Sequence, residues 1–180
     1  MLEVLKSLRP KKAHDKAAII KRFMAHPEHQ WFANDPTLSR LMAIFCDSWT
    51  KDVYDYFAAG NEVLIIAGQG HLACAMSSVK QTNIILAFPD LVQILKSASP
   101  MRGVAILAHE LGHLINNHST RKISAIEAQI EADQLAFDMG FGRDLEQVLL
   151  EYEHSLDCRV RVARLTQLYY SNLKDQPRLG

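Results

Sequence analysis

Charge of one sign is not in excess in this chain of 180 residues: 20 Lys and Arg stand against 20 Asp and Glu. With no net field, nothing draws the chain to a polyanion, and nucleic acid is not an expected partner. Cysteine is scarce. Cys46, Cys74 and Cys158 are odd in number and far apart, which argues against a disulfide framework and fits a reducing, cytoplasmic setting. Long apolar runs are missing too. The opening "MLEVLKSLRPKKAHDK" holds no uninterrupted apolar stretch of signal-peptide length. The longest uncharged run, Val63 to Val79, is broken by "GQGH" and by small and hydroxyl residues, so no membrane span is expected. No internal repeat or low-complexity tract is evident. What is there, 48% apolar residues, suffices for one compact domain or a core with a helical annex.

The chain divides near residue 60. Before it the pattern is helical: "HDKAAIIKRFMAH" is a short amphipathic segment, and "DPTLSRLMAIFCDSWTKDVYDYFAAG" a longer one. Asp35 is placed to N-cap the longer segment, Pro36 sits in its first turn and Gly60 stops it. From Glu62 the pattern changes. "EVLIIA", "HLACAMSS" and "NIILAF" read as three strands, the first two separated by a "GQG" turn. "DLVQILKSA" reads as a helix, and Ser99-Pro100 as the cap and first turn of the next one. Further helices are expected near 124–139, 144–154 and 157–171. The expected fold class is therefore α+β, mainly helical with a small sheet of about three strands. Its domains are a helical segment 1–60, packed on the core or covering its cleft, and a domain 61–180.

"AILAHELGHLINNHS", Ala105 to Ser119, carries the chemistry. His109-Glu110-Leu111-Gly112-His113 is an HExxH pattern. Residues four apart lie on one helical face, so both imidazoles can bind one Zn²⁺. The glutamate beside the first histidine then faces the attacking water and can serve as general base. Five letters with three fixed are a weak signal alone, so helical geometry has to support them. At about 100° per residue, Val104, Leu107, Leu111, Leu114 and Ile115 gather on one side. His109 and His113 fall nearly opposite, with Ala105, Gly112 and Asn116. An apolar face backed by a small, histidine-bearing face suggests a roofed cleft. His118 lies on another face and reads as an ordinary loop-side histidine.

In "AIEAQIEADQLAFDMG", Ile126, Ile130 and Phe137 mark a buried stripe and Asp133 projects from its middle. A carboxylate there needs a hydrogen-bond partner. Either the N–H of a metal-binding imidazole or an arginine would serve.

Together, "AILAHELGHLINNHS" and "IEADQLA" resemble the catalytic core of gluzincin zinc metallopeptidases of the HtpX and CAAX-prenyl-protease type. The resemblance covers roughly residues 60–165 and implies a zincin-like fold in which the sheet lies above the HExxH helix. In that family a Glu-x-x-Ala-Asp stretch on the next helix supplies the third zinc ligand, and its Asp supports a ligand histidine. Here the Asp is Asp133, and the third-ligand position holds Gln129, whose amide oxygen can coordinate without bringing charge. Glu127 and Glu131 are two residues out of register, about 200° around the helix, on a polar stripe with Gln134 and Asp138. The resemblance also implies that a peptide or unfolded-protein substrate adds to "NIILAF", residues 83–88, as the edge strand. "EHSLDCRVRVARL" resembles a His-then-Arg segment near the active site, which nominates His154 or Arg159 to stabilise the oxyanion. Two functions stay open: a zinc endopeptidase using Glu110 as base, and a catalytically impaired regulatory or binding protein of the same fold, which the glutamine favours. In a latent form of the enzyme, Asp35 or Cys46 would cap the metal.

Overall fold

The computed structural model describes residues 16–77 and 82–175; the helical reading of residues 1–15 lies outside them. α1 (Lys16–Met24) leads through a short 3-10 turn, Pro27–His29, into α2 (Gln30–Ala33) and α3 (Pro36–Asp47). The Asp35 carboxylate accepts the Thr37 and Leu38 N–H groups at 3.0 and 3.1 Å, capping α3 as its sequence suggests. The long helix read over residues 35–60 is two helices. The chain leaves the helix after Asp47, and Thr50 caps a new one, α4 (Lys51–Ala58), by accepting the Val53 N–H. Trp49 lies in that break, buried and stacked on Phe57. Burying a large ring there outweighs helical continuity.

β1 (Glu62–Ala67), β2 (Ala73–Met76) and β3 (Thr82–Ala87) form one mixed sheet in the order β1-β3-β2. β3 pairs parallel with β1 and antiparallel with β2. The fold is thus α+β, mostly helical with a small three-stranded sheet, as the sequence pattern suggests. One expectation is corrected: residues 83–88 do not form an edge strand. β3 is central, and alternate residues Asn83, Ile85 and Ala87 are buried.

The two outer strands have different fates. At β1 the N-terminal segment takes the outward-facing backbone groups: the Ile65 N–H donates to His29 Nε2 at 2.9 Å, and Trp31 Nε1 donates to the Ile65 carbonyl at 2.9 Å. His29 is fully buried, and its other ring nitrogen meets the Phe23 carbonyl at 2.6 Å. One edge is closed, as a buried edge must be. The β2 edge is left to the helices that follow.

Those helices are α5 (Pro89–Leu95), α6 (Met101–Ile115), α7 (Ala125–Asp138), α8 (Gly142–Leu150) and α9 (Leu156–Asp175). Ser99 does not cap α6 through its side chain; the helix opens at Pro100 and Met101. α6 is the axis of the core, packed against β2, β3, α3, α5, α7 and α8. It is buried from Gly103 to His109 and again at Leu111, Gly112 and Leu114. Ser124 and Glu127 form a capping box at the start of α7. The buried side of α7 is Ala132, Asp133, Leu135 and Ala136, with Ile126, Ile130 and Phe137 only half-buried. Small residues bring this helix close. A Cβ on Gly112 would stand 2.7 Å from Ala132 Cα and 2.9 Å from its carbonyl oxygen, so α6 and α7 touch backbone to backbone.

Candidate functional site

The close approach of α6 and α7 gathers the motif residues. His109 Nε2 and His113 Nε2 are 3.2 Å apart, and the Gln129 side-chain amide reaches His113 Nε2 at 3.5 Å. Two nitrogens bound about 2.0–2.1 Å from one tetrahedral zinc stand about 3.3–3.4 Å apart. The spacing fits the ion. Among the described residues no group of three or more His, Cys, Asp or Glu side chains is placed to hold a metal; the third side chain at the histidine pair is an amide. The oxygen and nitrogen of an amide are interchangeable by a flip, so Gln129 can turn its oxygen to a cation.

Asp133 is 2% exposed and fully used. Its Oδ1 lies 2.8 Å from His109 Nδ1, and both of its oxygens accept from Arg161, whose Nε and Nη2 are each at 2.7 Å. Both partners foreseen for the buried carboxylate are therefore present together. Burial pushes the Asp133 carboxyl upward, but the hydrogen bonds from Arg161 and His109 outweigh it and hold the group below the usual carboxylate range. An ionised Asp133 fixes the proton of His109 on Nδ1 and leaves the Nε2 lone pair facing His113. Burial, helped by the charges of His109, His118 and Arg161, pushes His113 down to about 3. Its ring is therefore neutral near pH 7 and able to bind a metal.

Glu110 faces the other way, towards the sheet. Its carboxylate accepts the Ala75 N–H of β2, and burial raises its pKa above the ordinary value. A half-buried carboxyl at the rim of a histidine pair, with raised proton affinity, has the properties of a general base. The surrounding cleft has a volume of about 530 Å³. Ala73 to Ala75 of β2 form one wall, and Leu145, Val148, Leu149 and Tyr152 another. β2, rather than β3, is the strand that meets the cleft.

Not every nominated residue is here. His154 and Arg159 line a second groove that shares only Leu149 and Cys158 with the cleft. Arg161, two residues further along α9, is the arginine in the site. A shift of two residues turns a side chain about 200° around a helix. Glu127 stays in its capping box, and Glu131 pairs with Arg121 and His118. His118 itself lies under His113, its Nδ1 2.7 Å from that of His113. Asp35 pairs with Lys96 at the cap of α3, and Cys46 is fully buried in the core. Among the described residues none before Leu72 lines the cleft.

An HExxH helix beside a strand edge, with an aspartate hydrogen-bonded to its first histidine, is an arrangement expected of a metallopeptidase. The comparison with known families gives the narrower answer. A model of peptidase family M48 matches residues 60–155, just over half of the chain, and the chain belongs to that family. No curated protein and no solved structure matches it. No helix among the described residues is long and apolar enough to cross a membrane.

Proposed function

We propose that the protein is a zinc-dependent endopeptidase, the reading best supported by the 3.2 Å convergence of His109 and His113 Nε2 beside a half-buried Glu110. His109, His113 and the Gln129 amide oxygen would hold the ion. Zinc, when bound, polarises the scissile carbonyl and makes water a better nucleophile. Glu110 accepts the proton of the attacking water and delivers it to the leaving amine. The Ala75 N–H keeps that carboxylate turned towards the cleft. Asp133 and Arg161 hold His109 in place from behind. The substrate, a peptide or unfolded segment, lies extended along the cleft-facing β2 and pairs with main-chain groups that Glu110 does not occupy. Within family M48 the site pattern resembles the HtpX and CAAX-prenyl-protease type. The free thiols of Cys46, Cys74 and Cys158 support a cytoplasmic setting.

A second reading, a binding protein with impaired catalysis, is favoured by the neutral Gln129. The two separate in one experiment. Cleavage of casein by the zinc-loaded protein is measured with and without chelator, and again for Glu110→Gln. The peptidase reading expects loss of activity in chelator and a drop of about a hundredfold or more in the variant, with zinc still bound. A protein that holds zinc and cleaves nothing belongs to the second reading. Equal cleavage by Glu110→Gln refutes the role of the base.

A further inference from the structure

We infer that His118 and Glu131 are positioning residues that orient His113: His118 Nδ1 accepts a hydrogen bond from the His113 Nδ1–H, Glu131 accepts one from His118 Nε2–H, and the His113 Nε2 lone pair is left for the metal. This rests on the zinc reading above, and begins with how α6 ends. Asn116 closes the helix and Asn117 has φ 53°, the left-handed conformation. The Asn117 N–H bonds to the Leu114 carbonyl and the His118 N–H to the His113 carbonyl, both at 3.1 Å. These are the paired bonds of a Schellman turn, which asparagine tolerates better than most residues. The turn folds the chain back and delivers the His118 ring beneath His113. The His118 side chain is only 7% exposed there.

The proton order follows from one fixed end. Arg121 grips both oxygens of Glu131, through Nη2 to Oε1 at 2.9 Å and through Nη1 to Oε2. A carboxylate held by an arginine fork is an acceptor only. His118 Nε2 stands 3.0 Å from Glu131 Oε2, so that nitrogen carries a proton. A metal on His113 Nε2, as proposed, would leave that ring's one proton on Nδ1, so His118 Nδ1 is the acceptor of the pair. His113 Nδ1, 2.7 Å away, supplies the proton, and the remaining nitrogen of His113 is the one facing His109. The reverse order, with His118 Nδ1 protonated, would put the His113 proton on Nε2, where a metal must bind. Each histidine of the pair thus has its own carboxylate and arginine: Asp133 with Arg161 behind His109, and Glu131 with Arg121 behind His113 by way of His118.

The test is zinc affinity, measured by competition with a chromogenic chelator, for wild type, His118→Phe and His118→Asn. Asparagine keeps an acceptor oxygen near the position of Nδ1; phenylalanine fills the space with none. His118→Phe should lose about 10–100-fold in zinc affinity, the usual range for a partner behind a metal-binding histidine. His118→Asn should recover most of that loss. Unfolding in chelator separates this from damage to the fold, because both variants should match in metal-free stability. Nitrogen-15 shifts of the zinc-loaded wild type give a readout needing no substitution, with His118 protonated at Nε2 and bare at Nδ1. A protonated His118 Nδ1 overturns the inference, as does a His118→Phe protein that binds zinc like wild type. A wild-type protein that takes up no zinc removes the zinc reading itself, and this inference with it.

Discussion

Adding one methyl group at Gly112 tests whether α7 completes the metal site. The Cβ of Gly112→Ala would sit 2.7 Å from Ala132 Cα, where carbon atoms in contact prefer about 3.5–4.0 Å. The three nearest atoms, Cα, O and C of Ala132, are all backbone, so no side chain can swing aside. The two helices must part by about 0.8 Å, the shortfall to the nearer end of that range. Overpacking of this kind costs about 1–3 kcal/mol of stability, measured by denaturant unfolding in chelator. The effect on metal is more specific. His109 and His113 share one helix and keep their spacing, whereas Gln129 sits on α7, one turn before Ala132. Metal–ligand distances tolerate about 0.2 Å, so an 0.8 Å displacement removes Gln129 as a donor. Zinc affinity of Gly112→Ala should therefore fall at least to that of Gln129→Ala, since Asp133 and Glu131, which support the two histidines, move with the same helix. Adding Gln129→Ala to Gly112→Ala should cost little more, because that contact is already lost. Additive losses, or a Gly112→Ala protein with wild-type affinity, would refute this account of the helix contact.

Gln129→Glu should tighten zinc binding, since a carboxylate beside a dication gains Coulomb energy that survives strong screening; competition titration decides, and an unchanged affinity means that Gln129 does not face the metal. Arg161→Leu leaves a nearly inaccessible Asp133 with His109 as its partner, and should cost about 3 kcal/mol in denaturant unfolding. Because the folded Asp133 carboxyl is held below its ordinary value, its contribution is present above about pH 4 and is lost as pH falls through the folded value. The gap between wild type and Arg161→Leu should narrow in acid, and a gap independent of pH would assign the loss to packing instead.

Local geometry made the centre of this site legible. Residues four apart on one helix converge wherever that helix lies, and the step from Asp133 back to Gln129 is one turn of a single helix. Strand order was not legible in the same way. Alternation tells which face of β3 is buried but not which strand lies beside it, because pairing is a contact between distant segments. Arg159, nominated beside His154, lies outside the cleft for a different reason, since the helical phase that places Arg161 there is readable in the sequence. Leu165 is buried and Cys158, Val162 and Leu168 pack against the core, a stripe at intervals of three and four that includes Arg161 and leaves Arg159 outside it. His118 also had a local signal, an asparagine pair after the helix able to make a left-handed turn. Reading position around α6 alone misses it, because His118 is no longer on the helix.

The glutamine gains its meaning from the charges around it. Asp133 is neutralised by Arg161 and Glu131 by Arg121, so the carboxylates behind the two histidines bring order without net charge. Among the described residues lining the cleft, Glu110 is the lone acid. A dication held, as proposed, by two imidazoles and an amide would find its countercharge chiefly in Glu110, and would draw that carboxyl towards its ionised form. Burial pulls the other way and raises it. A glutamate at position 129 would share the ion's charge and relax that coupling. On the proposed reading, then, glutamine makes base and metal depend on each other: what weakens retention of the ion would also leave Glu110 protonated more readily, and less able to act.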